Sequence, residues 1–202
     1  MTDSRTVITP PIGIAVGPAG RAMAEQMERE VLLATQQHLN MERQAHTAYF
    51  AAAIWFAERE LRGFAHYYRQ EALDELDHAA RFGDYLISRG QTVELQPLDA
   101  PYQSWVSPED VLVQAFRMES DVTTSLHQIY ALAEQSSDMR TTVFLDPMLE
   151  KQTRAEHEAA YLLGRVRLAE QQAAAILLVD DELGRGQSTP AQLSSGNTLI
   201  SS

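Results

Sequence analysis

Residues 71–82 read EALDELDHAARF, and within them Glu75 and His78 form an E-x-x-H motif. A helix turns once every ~3.6 residues, so positions i and i+3 share a face. Glu75 and His78 therefore project together, as a bridging carboxylate and an imidazole would. Their stripe runs Leu61, Phe64, Tyr68, Glu71, Glu75, His78, Phe82 and Leu86, with Gly90 as a C-terminal stop. The acids interrupt an otherwise apolar face. A carboxylate facing an apolar core is strongly destabilising unless it is neutralised or bound to a cation.

The same pattern recurs on three further helices. From Arg29, Leu32, Leu39, Glu42, Tyr49, Ala53 and Phe56 repeat at helical spacing up to a short break near Glu60. Residues 90–107 (GQTVELQPLDAPYQSWVS) break the pattern. A segment this long can travel the length of a bundle, which lets the third helix run parallel to the second. Ser107-Pro108-Glu109-Asp110 is a helix start, with an N-cap serine, a first-position proline and then acids. The third stripe is Leu112, Ala115, Phe116, Glu119, Val122, Leu126, Ile129 and Ala133. Ser136-Ser137-Asp138 marks a turn and a new N-cap. The fourth stripe is Leu145, Leu149, Gln152, Glu156, Ala160, Leu163 and Val166, with Pro147 expected to kink it early. Residues 173–183 (AAAILLVDDEL) predict a short fifth helix. Isolated helices below ~12–15 residues are marginal in water, so contact with other subunits is expected to hold it. The fold class is all-α: a four-helix bundle with a long crossover loop and a short fifth helix. Residues 1–28 form an N-terminal arm, read as flexible up to Pro18. Residues 29–185 form the domain and residues 186–202 a disordered tail.

Composition excludes several classes. The chain has 202 residues, 45% of them hydrophobic and 22% charged, which suits one folded domain. A net charge of -12 disfavours nucleic acid and anionic membranes and suits the attraction of cations. The absence of cysteine removes disulfides, zinc knuckles and thiolate iron sites. No apolar run approaches the ~18 residues of a membrane span, and no signal pattern opens the chain. Residence in the cytoplasm is expected.

Glu42, Glu75, His78, Glu119 and Glu156 together spread carboxylates and an imidazole over four core stripes. This reads as a dinuclear metal site in a bundle. The bland alternative, buried salt bridges, needs Lys or Arg on the same stripes, and these carry almost none. Carboxylate and imidazole without thiolate suit iron or manganese, with zinc as a competitor. Tyr49 follows Glu42 by two turns, either as a packed ring with a bonded hydroxyl or as a redox-active neighbour. Glu71, one turn before Glu75, can form an additional nearby site. Asp74 and Asp77 make the helix acidic, or are merely solvated. His38, His46, His66, His127 and His157 lack the E-x-x-H spacing and read as ordinary.

The segments GPAGRAMAEQM, QQHLNMERQAHTAYF, IWFAERELRGF, EALDELDHAARF, FRMESDVTTS, RTTVFLDPMLEKQ and YLLGRV resemble a ferritin of the non-haem prokaryotic type, most closely the cyanobacterial ferritins. The resemblance covers residues 17–185. It implies a hollow homo-oligomeric cage of about twenty-four subunits. It also implies iron(II) oxidation with dioxygen or peroxide at an intrasubunit di-iron ferroxidase centre, and ferric mineral stored inside. By position, Glu42, Glu75, His78, Glu119 and Glu156 match ferroxidase ligands, with Gln152 and Glu150 as alternatives on the fourth helix. Tyr49 matches the tyrosine beside that centre and Glu71 a carboxylate of a third iron site. Asp146 matches the lining of three-fold channels, and Asp74 could relay iron inward from there. Ala159 stands where a bacterioferritin would carry a second E-x-x-H histidine, and residues 57–90 hold no methionine, so haem is not expected. The alternative is a di-iron carboxylate oxygenase acting on a small organic substrate.

Overall fold

The computed structural model describes residue 13, residues 15–17 and residues 20–186. Helix α1 (Arg29–Ala57) turns back at Glu60, which takes a left-handed φ of 59°, into α2 (Arg62–Ser88). Helix α2 ends in a Schellman motif: Gly90 has φ 75°, its N–H donates to the Ile87 carbonyl, and Gln91 N–H donates to the Leu86 carbonyl. The crossover then runs beside α1. Gln36 and Asn40 donate to the Glu94 carbonyl, Arg43 to that of Gln96 and Gln44 to that of Asp99. At the far end Trp55 Nε1 donates to the Trp105 carbonyl (3.2 Å). These donors recur along one face of α1, so the connection is fastened along the helix rather than hung as a free loop. It delivers the chain to the opposite end of the bundle, and α3 (Pro108–Gln135) runs parallel to α2. Ser107 caps α3 by accepting from Asp110 N–H (3.2 Å). After Ser137 (φ 58°), Asp138 caps α4 (Met139–Leu168) by accepting from Thr141 N–H (3.2 Å). Helix α4 is continuous through Pro147.

The apolar core is divided in two. One half gathers Tyr49, Phe56, Phe64, Tyr68, Leu112 and Val166, among others. The other gathers Leu39, Phe82, Leu86, Leu126, Ile129 and Leu145. On each of the four bundle helices the residues between the two halves are polar: Glu42 on α1, Glu75 and His78 on α2, Glu119 on α3 and Gln152 on α4, all buried. A polar belt thus crosses the waist of the bundle.

Several sequence expectations are corrected. Phe116 is 36% exposed, so it flanks the core rather than filling it. On α4 the buried positions are Thr141, Thr142, Leu145, Met148, Gln152, Ala159, Leu162, Leu163 and Val166. Ala160 is exposed and Glu156 half-buried. Spacing that alternates three and four residues carries the core from Gln152 towards Ala159 and leaves the straight i+4 stripe on its flank. The arm is structured where it is described. Ala15–Val16 (β1) and Ala22–Met23 (β2) pair antiparallel, Arg21 donates to the Ile87 carbonyl (3.0 Å), and Met27 is buried. The tail expected to be disordered lies outside the described residues, apart from Gly186.

Helix α5 (Ala173–Gly184) docks on α2 of its own subunit, so contact with other subunits is not its sole support. Ile176, Val179 and Leu183 are buried. A Cβ on Gly63 would lie 1.7 Å from the Asp180 carbonyl oxygen, so only glycine allows this approach. The Asp180 carboxylate accepts from Phe64 N–H (2.9 Å) and caps α2, whose own N-cap Leu61 offers no side-chain acceptor. Arg165 of α4 pairs with Glu182.

Candidate metal centre

The belt brings together one oxygen each from Glu42 and Glu75 and one nitrogen from His78, all within 4.8 Å of one another and all buried. Glu75 and His78 share a face of α2, as the E-x-x-H spacing requires, and His78 Nδ1 lies 2.8 Å from Glu75 Oε2. Glu119 enters from α3. Its carboxylate accepts from the Tyr49 hydroxyl on one oxygen and from Gln152 Nε2 (2.7 Å) on the other. Gln152 also donates to the Glu119 carbonyl (3.1 Å), tying α4 to α3 at this level. Two buried ligand atoms have no hydrogen-bond partner: Glu42 Oε2 and His78 Nε2. Unpaired buried polar atoms are costly, and a divalent cation would satisfy them.

The electrostatics agree. Burial, then the neighbouring Glu42 carboxylate, push Glu75 up to about 7, against the opposing bond from His78. Burial and the Glu75 charge push Glu119 up to about 6, and burial raises Glu42. Burial followed by the charges of Glu119 and Glu75 takes Glu71 up to about 8. Burial disfavours a charged His78, but its bond to Glu75 and the surrounding carboxylates outweigh it and raise its pKa. Without a cation, Glu71 and Glu75 hold protons near neutral pH. The salt-bridge alternative fails: among the described residues the buried cation is Arg89, and it pairs with Asp138 (2.9 Å) at the end of α2.

A family model described as a ferritin-like domain matches residues 32–169. The chain belongs to the ferritin family. A bacterial non-heme ferritin of Bacteroides fragilis is 24% identical over 152 residues, spanning 75% of this chain and 94% of that protein. A ferritin of Mycolicibacterium smegmatis is 26% identical over 153 residues, spanning 76% and 83%. Among solved structures, an open-pore ferritin of the archaeon Archaeoglobus fulgidus superposes with a TM-score of 0.76 at 27% identity, covering 78% of this chain and 96% of its own. A humanized archaeal ferritin gives 0.77 at 28%, covering 82% and 100%. The relatives place this ferritin among the iron-storage proteins of the non-haem prokaryotic type.

The remaining residues singled out in this ferritin are not all brought to the belt. Glu156 is half-buried one turn beyond Gln152, and Glu150 is exposed and paired with Arg154. Neither joins the group formed by Glu42, Glu75 and His78. Tyr49 is buried, and burial followed by the Glu119 charge holds its phenol well above the ordinary range. Glu71 is half-buried and Asp74 exposed. Asp146 is exposed and accepts from the Tyr130 hydroxyl (3.2 Å). His38, read as ordinary, is fully buried with Nε2 2.9 Å from Glu42 Oε1. Its signal was an i, i+4 relation to Glu42. Its contacts with Glu42 and with Ser125 of α3 distinguish it from a packed core histidine.

Proposed function

We propose that this ferritin oxidises iron(II) at the belt and stores the ferric product inside a homo-oligomeric cage of about twenty-four subunits. The observation that carries the reading is the pair of unsatisfied ligand atoms, Glu42 Oε2 and His78 Nε2, in a buried layer whose carboxylates Glu42, Glu75 and Glu119 form no ion pair with Lys or Arg among the described residues. Iron is the substrate. Glu42 and His78 hold one iron(II), Glu75 bridges to a second, and Glu119 with Glu156 completes that second position. Iron binding displaces the protons that burial favours on Glu42, Glu75 and Glu119. Each iron(II) gives one electron to dioxygen or peroxide, and carboxylate ligands stabilise the iron(III) formed. Tyr49, bonded to Glu119, stands where it can supply a further electron, with its proton passing to that carboxylate. Glu71 provides an additional iron position beside the centre, and Asp146 and Asp74 line the approach.

The competing oxygenase reading needs room for an organic substrate, typically ~300–1,000 Å³. The cleft bordering Tyr49 holds about 10 Å³. A cavity of about 560 Å³ lies instead at the α5 end, lined by Leu61, Val106, Val166, Ile176 and Leu177. Val106 and Leu168 are 89% and 85% exposed, and Leu177 and Leu178 are more than half exposed, which supports burial of this end against other subunits. Stopped-flow mixing of iron(II) with aerobic protein tests the function. Glu75→Ala and His78→Ala are expected to lose the fast oxidation phase while keeping parent particle mass. A fast phase that survives in both variants would refute the assignment.

A further inference from the structure

Building on the metal-centre reading above, we propose that His38 is a positioning residue of the centre. Clamped by Ser125 and Phe82, it restrains one oxygen of Glu42 so that the other is presented to the metal.

Three helices fix the ring. His38 sits on α1 with 0% exposure. From α3, Ser125 Oγ lies 2.8 Å from Nδ1. From α2, the Phe82 ring packs against the imidazole with centroids 4.4 Å apart and planes inclined at 56°. The remaining ring nitrogen, Nε2, is thereby held beside Glu42, 2.9 Å from Oε1. A neutral imidazole carries one N–H, and the other nitrogen is an acceptor. A bare lone pair on Nε2 facing a carboxylate oxygen at this distance would be repulsive. The proton therefore belongs on Nε2, and the Ser125 hydroxyl donates to Nδ1.

The contact is close but not aligned as a full hydrogen bond, since Nε2 has no bonded partner. Glu42 Oε2 is equally unpartnered. One oxygen thus lies against the imidazole, and the other takes no bond from an N–H or hydroxyl donor. Hydrogen bonds of this kind commonly tighten only when the ligand arrives. The ring itself stands outside the group in which Glu42, Glu75 and His78 converge. Its part is to orient a ligand, and loss of such outer partners typically costs about 10–100-fold in metal affinity.

The test is anaerobic titration of the metal-free full-length protein with Co(II), read by its visible absorption and by calorimetry. It compares the parent with His38→Leu, His38→Gln, Ser125→Ala and Glu75→Ala. His38→Leu is expected to bind about 10–100-fold more weakly with an altered Co(II) spectrum. In iron(II) oxidation the same variant should show a raised KM with kcat little changed. His38→Gln, whose amide N–H reaches towards Glu42, should restore most of the affinity and the parent spectrum. Ser125→Ala should show the same loss at smaller size, and it keeps the core volume nearly intact should His38→Leu not fold. Parent-like affinity and spectrum in His38→Leu and Ser125→Ala would overturn the proposal, as would Co(II) found bonded to His38 Nε2. A parent that titrates like Glu75→Ala would overturn the metal-centre reading and the positioning role together.

Discussion

Replacing Glu75 with glutamine should stabilise the metal-free protein at alkaline pH, although it removes a ligand. Glu75 is 5% exposed and its pKa rises from 4.5 to about 7. The native state therefore binds a proton that the unfolded chain has already released. Stability is full below pH 4.5 and is lost as pH rises through about 7. At about 1.36 kcal/mol per pKa unit the penalty at pH 8 is on the order of 3 kcal/mol. An amide keeps an acceptor for His78 and carries no charge, so it escapes most of that penalty. For a chain of this size ~1 kcal/mol moves the melting temperature by ~2–4 °C. Scanning calorimetry of chelator-treated protein should show Glu75→Gln melting roughly 5–10 °C above the parent at pH 8, with the gap closing near pH 4.5. Saturating Co(II) should reverse the order, because the parent gains a bound cation and the variant gains less. A variant that melts below the parent at pH 8 without metal, or a gap independent of pH, would refute the reasoning.

Gly63→Ala should undock α5, because the new methyl would meet the Asp180 carbonyl oxygen at 1.7 Å. Overpacking of this kind costs about 1–3 kcal/mol, and a limited protease should cut near residues 173–184 in the variant but not in the parent; equal protection would show the contact to be dispensable. Tyr49→Phe removes the hydroxyl bonded to Glu119 and should abolish any tyrosyl radical signal after aerobic iron addition while metal binding persists, whereas an unchanged signal would place the electron donor elsewhere. Asp146→Ala should slow iron(II) oxidation at limiting iron without changing the centre. Parent-like rates under those conditions would move the entry route away from Asp146.

What the sequence disclosed depended on how local the determinant was. Ser107 and Asp138 announce helix starts because a cap involves only the next few residues, and both caps form. Glu75 and His78 lie three residues apart on one helix, so their convergence follows from helical pitch alone. The phase of α4 was harder to read. Past Gln152, spacing does not say whether the core continues through Glu156 or steps towards Ala159, and packing against the other helices decides it. His38 was missed because its partner Ser125 lies 87 positions away. The docking of helix α5 on α2 is not legible in the sequence because it depends on Gly63 and Phe64, and the Phe64–Asp180 bond spans 116 positions. A glycine in a helical pattern gives no sign of which backbone will approach it.

Anomalous scattering at the iron edge, from crystals soaked anaerobically in iron(II), addresses the metal-centre assignment most directly. Ordered iron is expected in the waist of the bundle, bonded to Glu42, Glu75 and His78, with a second ion on the far side of Glu75 towards Glu119. Density confined to surface acids such as Asp74 and Asp146, with the belt empty and Glu42 Oε2 still unpartnered, would contradict the assignment.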